Sequence, residues 1–142
     1  MAKRKEKITV IILNWNQIKL TKECLQSVLK SKTAGQIKIE PIVVDNGSTD
    51  NSKENLFNLK SQTRRLKVIF NKENLGFAGG NNVGIRDALK NKADFIFILN
   101  NDTEIKNDCI LNLWQTFLEE EKIGVVSPKI YYAPGFEFHK KR

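Results

Sequence analysis

The stretch Phe95-Ile96-Phe97-Ile98-Leu99-Asn100-Asn101-Asp102-Thr103 decides the architecture. Five consecutive apolar residues, rich in Ile and Phe, read as a buried strand, and Asn-Asn-Asp ends it. The carboxylate of Asp102 then stands just past the carboxyl end of a strand, at the rim where open α/β sheets bind ligands. Asp45 stands in the same way after Pro41-Ile42-Val43-Val44. A carboxylate at an apolar edge is costly unless it meets a cation or hydrogen-bond donors. Two of them point to a nucleotide and a divalent metal.

Outward from this strand, helix and strand signals alternate. Ile8–Leu13, Ile39–Val44 and Leu66–Phe70 are rich in β-branched or apolar residues and read as three further strands. Ile18–Leu29 places Ile18, Leu20, Leu25, Val28 and Leu29 at roughly helical spacing, with Asn16 able to cap it. A second helix starts at the capping-box-like Asn51-Ser52-Lys53-Glu54, with Leu56, Phe57 and Leu59 as its buried face. Asn81–Leu89 is expected to be helical after a glycine-rich turn, and Ile105–Glu121 forms a longer helix. Gly124–Ser127 reads as a fifth strand. The alternation predicts a three-layer α/β/α fold, with a mostly parallel sheet covered on both faces and right-handed crossovers. The expected organisation is a basic tail over 1–7, one domain over 8–130 and an irregular tail over 131–142, containing the Pro134-Gly135 turn.

The 142 residues are 40% hydrophobic and 28% charged, which suits one domain with a real core. No apolar stretch approaches the ~18 residues of a spanning helix. The charged start, Met1 to Lys7, lacks the features of a secretory signal, so a cytoplasmic location is expected. Cys24 and Cys109 fall in expected helices as small core residues. With only His139 besides, the chain has no zinc motif. The net charge of +8 gathers at Lys3–Lys7 and Lys140–Arg142. These clusters read first as solvated tails, although a basic surface also attracts phosphates and anionic lipid. No recognition motif or basic face with interleaved aromatics supports nucleic-acid binding.

Each polar cluster follows a strand: Asn14-Trp15-Asn16, Asp45-Asn46-Gly47-Ser48-Thr49-Asp50, Asn71 through Asn82, and Asn100-Asn101-Asp102. In a parallel sheet these loops open at one edge. Each alone has an ordinary reading as turn or cap chemistry; their coincidence on one rim is the functional signal. Asp45 precedes its turn and could accept a hydrogen bond from a base imide. Asn74-Leu75-Gly76-Phe77-Ala78-Gly79-Gly80-Asn81-Asn82 is neither a dinucleotide fingerprint nor a P-loop, but its glycines permit close backbone approach to phosphate or sugar. Asp102 is a hard oxygen ligand of the kind Mg²⁺ or Mn²⁺ takes, with Asn100 a second candidate.

Taken together in this order, the four motifs resemble glycosyltransferase family 2, and within it the rhamnosyltransferase-like branch that builds surface polysaccharides. The resemblance covers roughly residues 8–130. It implies a GT-A fold, a UDP- or dTDP-sugar donor, a divalent metal (Mn²⁺ or Mg²⁺), a saccharide or lipid-linked acceptor, and inversion at the anomeric carbon. By position, Asp45 would contact the base and Asn14 and Asn16 would lie near the nucleoside. Asn74, Gly79 and Asn82 would border ribose and diphosphate, with Asn101 also at the donor. Asn100-Asn101-Asp102 takes the place of the Asp-x-Asp metal motif, with Asp102 as ligand. There are two departures. Asn100 replaces the motif's first acid, and no segment before Arg142 matches the family's catalytic base. The resemblance therefore implies a donor-binding half whose base lies downstream; the rival reading is a catalytically silent nucleotide-binding module. A lipid-linked acceptor would add peripheral association at the inner membrane face.

Overall fold

The structure, a computed structural model, describes residues 4–132. The elements run β1 (Glu6–Asn14), α1 (Ile18–Leu29), β2 (Ile37–Asp45), α2 (Ser52–Gln62), β3 (Lys67–Phe70), α3 (Gly76–Lys90), β4 (Phe95–Asn100) and α4 (Cys109–Glu119). The four strands form one sheet in the order β3-β2-β1-β4, and every pairing is parallel. β1 lies at the centre, in register with both neighbours: Leu13 stands opposite Val44 on one side and Asn100 on the other. The strand ends that carry the polar clusters therefore share one edge.

Burial on both faces explains the apolar character of β1 and β2; β4, expected to be a buried strand, stands at the edge of the described sheet, with Leu99 buried and Ile98 46% exposed. On one face Ile8, Val10 and Ile12 of β1 join Ile39, Val43, Val68 and Leu99 beneath α1, α2 and α4, which contribute Cys24, Leu25, Val28, Leu56, Ile110 and Trp114. On the other face, among the described residues, Ile11, Leu13, Ile42, Val44, Ile69 and Ile96 meet α3 through Val83 and Ile85. This second face is closed by intimate contact more than by bulk. A methyl group on Gly84 would come within 2.7 Å of Ile11 Cγ2 and 3.2 Å of Val44 Cγ2. One on Gly80 would meet Leu13 Cδ1 at 2.5 Å. The glycines let α3 lie down on the sheet.

Several expectations need correction. The glycine-rich segment is the first turns of α3, which starts at Gly76 and not at Asn81. Packing against the sheet outweighs the helix cost of glycine, about 1 kcal/mol per residue. Phe57, assigned to the buried face of α2, is 66% exposed, and Leu56 is the buried anchor. Asn51 makes no side-chain cap bond; Asp50 does the work instead, its Oδ1 accepting from Ser52 N at 2.9 Å. Asn16 does not cap α1, because Gln17 occupies the position before the helix and Asn16 turns elsewhere. Ile105 lies outside α4, buried in the core, with its N–H donated to Ser27 Oγ at 3.2 Å. Residues 124–127 form no strand among the described residues, and Val125 is 88% exposed. A strand needs a partner for its backbone groups, and this segment pairs with none of the four. Cys24 is buried and Cys109 half-buried against the core, both free thiols, as expected. Residues 1–3 and the 133–142 part of the expected tail, with Pro134-Gly135 and His139, lie outside the described residues.

Gly84→Val should destabilise the fold by about 1–3 kcal/mol, the usual cost of overpacking. Gly124→Val, where no neighbour lies within 4 Å of the added carbon, should be close to neutral. Chemical denaturation of the two variants tests this contrast; equal stability would mean that α3 does not depend on contact through Gly84.

Candidate donor-binding site at the carboxyl rim

The strand order reverses at β1, with β2 and β3 on one side of it and β4 on the other. Such switch points are where open α/β sheets form ligand crevices. Here the crevice is an open groove of about 270 Å³, lined by Leu13, Trp15, Gln17, Phe77, Asn100, Asn101 and Asp102. Trp15 and Phe77 are 51% and 63% exposed. Asp102 and Asn100 are exposed, and Asn101 is half-buried.

Beside the groove lies a closed hydrogen-bond cluster. The Asp45 side chain has no exposure to solvent. Its Oδ1 accepts from Asn14 Nδ2 at 2.8 Å and from the Ser48 hydroxyl at 2.5 Å, and its Oδ2 accepts from Ser48 N at 3.2 Å. Ser48 Oγ in turn accepts from Asn14 Nδ2 and Asn16 N. Asn14 is likewise fully buried, its Oδ1 accepting from Thr21 Oγ1 at 2.7 Å. Asp45, expected at the base, and Asn14, expected near the nucleoside, both turn their polar atoms inward here. Their polar atoms are spent on holding the loop after β2, because a buried carboxylate requires donors at close range.

Asn16 is exposed and adopts a left-handed conformation, with φ of 53°, which asparagine tolerates. Its Oδ1 accepts from Thr49 N at 2.8 Å and Asp50 N at 3.3 Å, tying the β1 loop to the β2 loop. Asn74 is exposed, and its Oδ1 accepts from Gly76 N and from Asn46 Nδ2, both at 2.8 Å. Asn101 spends both amide hydrogens inside the protein, on Gln17 Oε1 at 3.1 Å and Thr21 Oγ1 at 3.2 Å. Gly79 is half-buried on α3 and Asn82 is exposed there; neither lines the groove.

Two contributors, Asn46 and Ser48, were missed in the sequence reading. Asn46 is 2% exposed and joins the loops after β2 and β3, donating to Asn74 Oδ1 and Gly76 O while accepting from Asn71 Nδ2 and Leu75 N. Ser48 is the partner of Asp45 described above. Gly47 has φ of +75°, and a Cβ on it would fall 2.5 Å from the Glu73 carbonyl carbon. The signal available was the unbroken Asp45-Asn46-Gly47-Ser48 run; only the fold shows what each residue meets.

The donor set limits what the groove can hold. Among the described residues no group of three or more His, Cys, Asp or Glu side chains could bind a metal ion. Asp102 is one hard carboxylate, and Mg²⁺ or Mn²⁺ bound through one or two carboxylates completes its shell with substrate phosphate and water. The residues fit a metal shared with a diphosphate, not one held by the protein alone. Below the loop, burial first and the Asp102 charge second push the Cys24 thiol up to about 12, so it is a neutral packing group and not a ligand thiolate.

Gly47→Ala should cost roughly 2–4 kcal/mol, from the left-handed backbone and the contact with residue 73 together. Equilibrium unfolding measures it; a loss below about 1 kcal/mol would mean the two loops part easily.

Comparisons with known proteins bear on the fold and the family. The Streptococcus pneumoniae glycosyltransferase GlyG is 34% identical over 85% of this chain and 38% of its own length. The Staphylococcus aureus poly-beta-1,6-N-acetyl-D-glucosamine synthase is 29% identical over 86% and 28%. Among solved structures, S. aureus TarS 1-349 in complex with UDP-GlcNAc superposes with a TM-score of 0.68 at 23% identity, over 87% of this chain and 37% of that one. The mannosyltransferase PcManGT from Pyrobaculum calidifontis, in complex with GDP-Man and Mn²⁺, gives 0.69 at 21%, over 80% and 33%. The fold is that of the GT-A glycosyltransferases, and the chain spans roughly a third of the length of these relatives. Residues 9–142 match the description "Glycosyl transferase family 2", so the chain, with its parallel sheet and its groove between β1 and β4, belongs to that family.

Proposed function

We propose that this chain is the donor-binding part of an inverting glycosyltransferase that moves a sugar from a nucleoside-diphosphate donor to a saccharide or lipid-linked acceptor in surface polysaccharide synthesis. The observation that carries the reading is the groove at the β1–β4 switch point, with Asp102 and Asn100 on one side and two exposed aromatic rings beside them. The first turn of α3 brings Phe77 to the same groove, so the positive end of that helix faces the rim, where it favours phosphate. Trp15 and Phe77 offer apolar faces to a base or a sugar ring. The relatives support the class of ligand: structural neighbours hold UDP, UDP-GlcNAc or GDP-Man.

In this reading Asp102, with Asn100 beside it, holds Mn²⁺ or Mg²⁺ together with the donor diphosphate. When bound, the ion offsets negative charge on the leaving nucleoside diphosphate. The chain's own residues bind and orient. The Asp45 cluster keeps the β1 and β2 loops in place, Asn46 fixes the start of α3, and the groove walls exclude water from one side of the sugar. The base that takes the acceptor proton belongs outside the residues described.

A cytoplasmic location with peripheral association at the inner membrane face belongs to the same proposal. No helix among the described residues is long and apolar enough to cross a membrane. A second groove, of about 380 Å³, collects Lys7, Lys38, Lys67, Arg64 and Arg65 against Glu40 and Asp87. Glu40 pairs with Lys7 and Lys38, and Asp87 with Lys67. Burial opposes ionisation of Glu40, but its two lysines outweigh this and hold its carboxyl below the usual range. The two arginines make no ion pair among the described residues and give the surface a net attraction for anionic lipid.

Titration calorimetry with UDP, dTDP and GDP, each with and without MnCl₂, should show one nucleotide bound and its affinity raised by the metal. Asp102→Ala should abolish that metal-dependent gain, a loss of about tenfold or more. Failure of all three nucleotides to bind, or an unchanged gain in Asp102→Ala, rules the reading out. Vesicle flotation should show binding to phosphatidylserine vesicles, weakened by Arg64→Glu with Arg65→Glu and absent with phosphatidylcholine. Equal flotation of parent and variant would remove the membrane part of the proposal.

A further inference from the structure

Helix α1 does more than cover the sheet. Gln17, Thr21 and Cys24, near-neighbours at the spacing of one helix face, each engage the loop that carries Asp102. Gln17 Oε1 and Thr21 Oγ1 both accept from Asn101 Nδ2, at 3.1 and 3.2 Å, and Cys24 Sγ donates to Asn100 O at 3.4 Å. Thr21 also reaches in the opposite direction. It is fully buried, and its hydroxyl donates to Asn14 Oδ1 at 2.7 Å. Asn14 is bound to Asp45 and Ser48, so one hydroxyl joins the cluster behind the β1 and β2 loops to the loop of the candidate metal ligand.

We propose that Thr21 is a positioning residue that couples the metal-bearing end of the donor groove to its nucleoside end. The inference rests on the donor-binding reading above and deepens it. A threonine hydroxyl has one proton to give and lone pairs to accept with. Here the proton goes to Asn14 and a lone pair takes the Asn101 amide. Buried hydrogen-bond chains polarise one another and stay rigid when every member is satisfied. Asn101 has its two amide hydrogens committed to α1, so the adjacent Asp102 leaves the sheet from a fixed anchor. Movement of the β1 and β2 loops on nucleotide binding would be felt at Asp102 through Thr21. Reciprocally, a metal at Asp102 would tighten the nucleoside end by the same factor, as linkage requires.

The probes are MnCl₂ and UDP, replaced by dTDP or GDP if that nucleotide is the one bound by the parent. Calorimetry gives the nucleotide affinity with and without Mn²⁺, and the ratio is the coupling. Thr21→Val keeps the shape and removes both hydrogen bonds. It should lower the ratio by about tenfold, the scale seen when outer partners of metal ligands are removed, and change metal-free nucleotide affinity much less. Thr21→Ser restores the hydroxyl and should restore the ratio to within about twofold of the parent. A merely structural role would lower stability and both affinities together and leave the ratio alone; that result overturns the inference. Where Thr21→Val does not fold, Asn101→Ala is read instead: it cuts the same link from the half-buried side, and an unchanged ratio there is equally fatal. Failure of the parent to bind any of the three nucleotides would instead count against the donor-binding reading, so the two failures are distinct.

Discussion

A carboxylate without access to water must find its donors within the protein, and at Asp45 it finds three. That constraint organises the rim. Satisfying Asp45 requires Asn14 at the end of β1 to turn its amide inward and requires the chain after β2 to double back so that Ser48 presents both its N–H and its hydroxyl. The doubling back needs a left-handed residue at position 47 and no side chain there, because the Glu73 backbone occupies the space. The third loop is thereby held against the second. Asn46, one residue along, holds it there through Asn71, Asn74, Leu75 and Gly76. A groove open to solvent is thus built on a rim whose interior is closed.

The same economy appears in the helical layers. Three helices cover one face of the sheet with large side chains, and one helix covers the other. The lone helix can do so because Gly80 and Gly84 remove the spacing that β-carbons would impose. Its closeness has a consequence at the rim. The amino end of α3 is drawn to the carboxyl rim, where Phe77 borders the groove.

The division between polar atoms spent inward and those left outward sets what the site can do. Asp45, Asn14, Asn46 and the Asn101 amide hydrogens are committed to the protein. Asp102, Asn100, Trp15 and Phe77 are left at the surface of the groove. A single exposed carboxylate holds a hard divalent ion weakly by itself, and more firmly when a diphosphate brings oxygens of its own. In the proposed function, metal and donor diphosphate are therefore bound together.

Much of this was legible in the amino-acid order. The strands Ile8–Leu13 and Ile39–Val44 are mostly apolar because both faces of the parallel sheet are buried there; Phe95–Leu99 reads the same way in sequence but is less buried, because β4 stands at the edge of the described sheet. The polar clusters announce the rim, since in a parallel sheet every strand ends at the same edge. The four motifs in order also carried the family. What the order could not show is direction: Asp45 and Asp102 look alike beside their strands, yet one is sealed and the other open. That difference depends on whether neighbouring loops supply donors, and the donors lie three, 31 and 34 positions away along the chain in the bonds that join Asn14, Asp45 and Ser48. The helical state of Gly76–Gly80 and the exposure of Phe57 were likewise decided by tertiary contact, since local propensity argues against the first and hydrophobicity against the second. Sequence period thus determined the layers and the rim; only long-range packing and hydrogen bonding decided which of the rim's residues face the protein and which face a ligand.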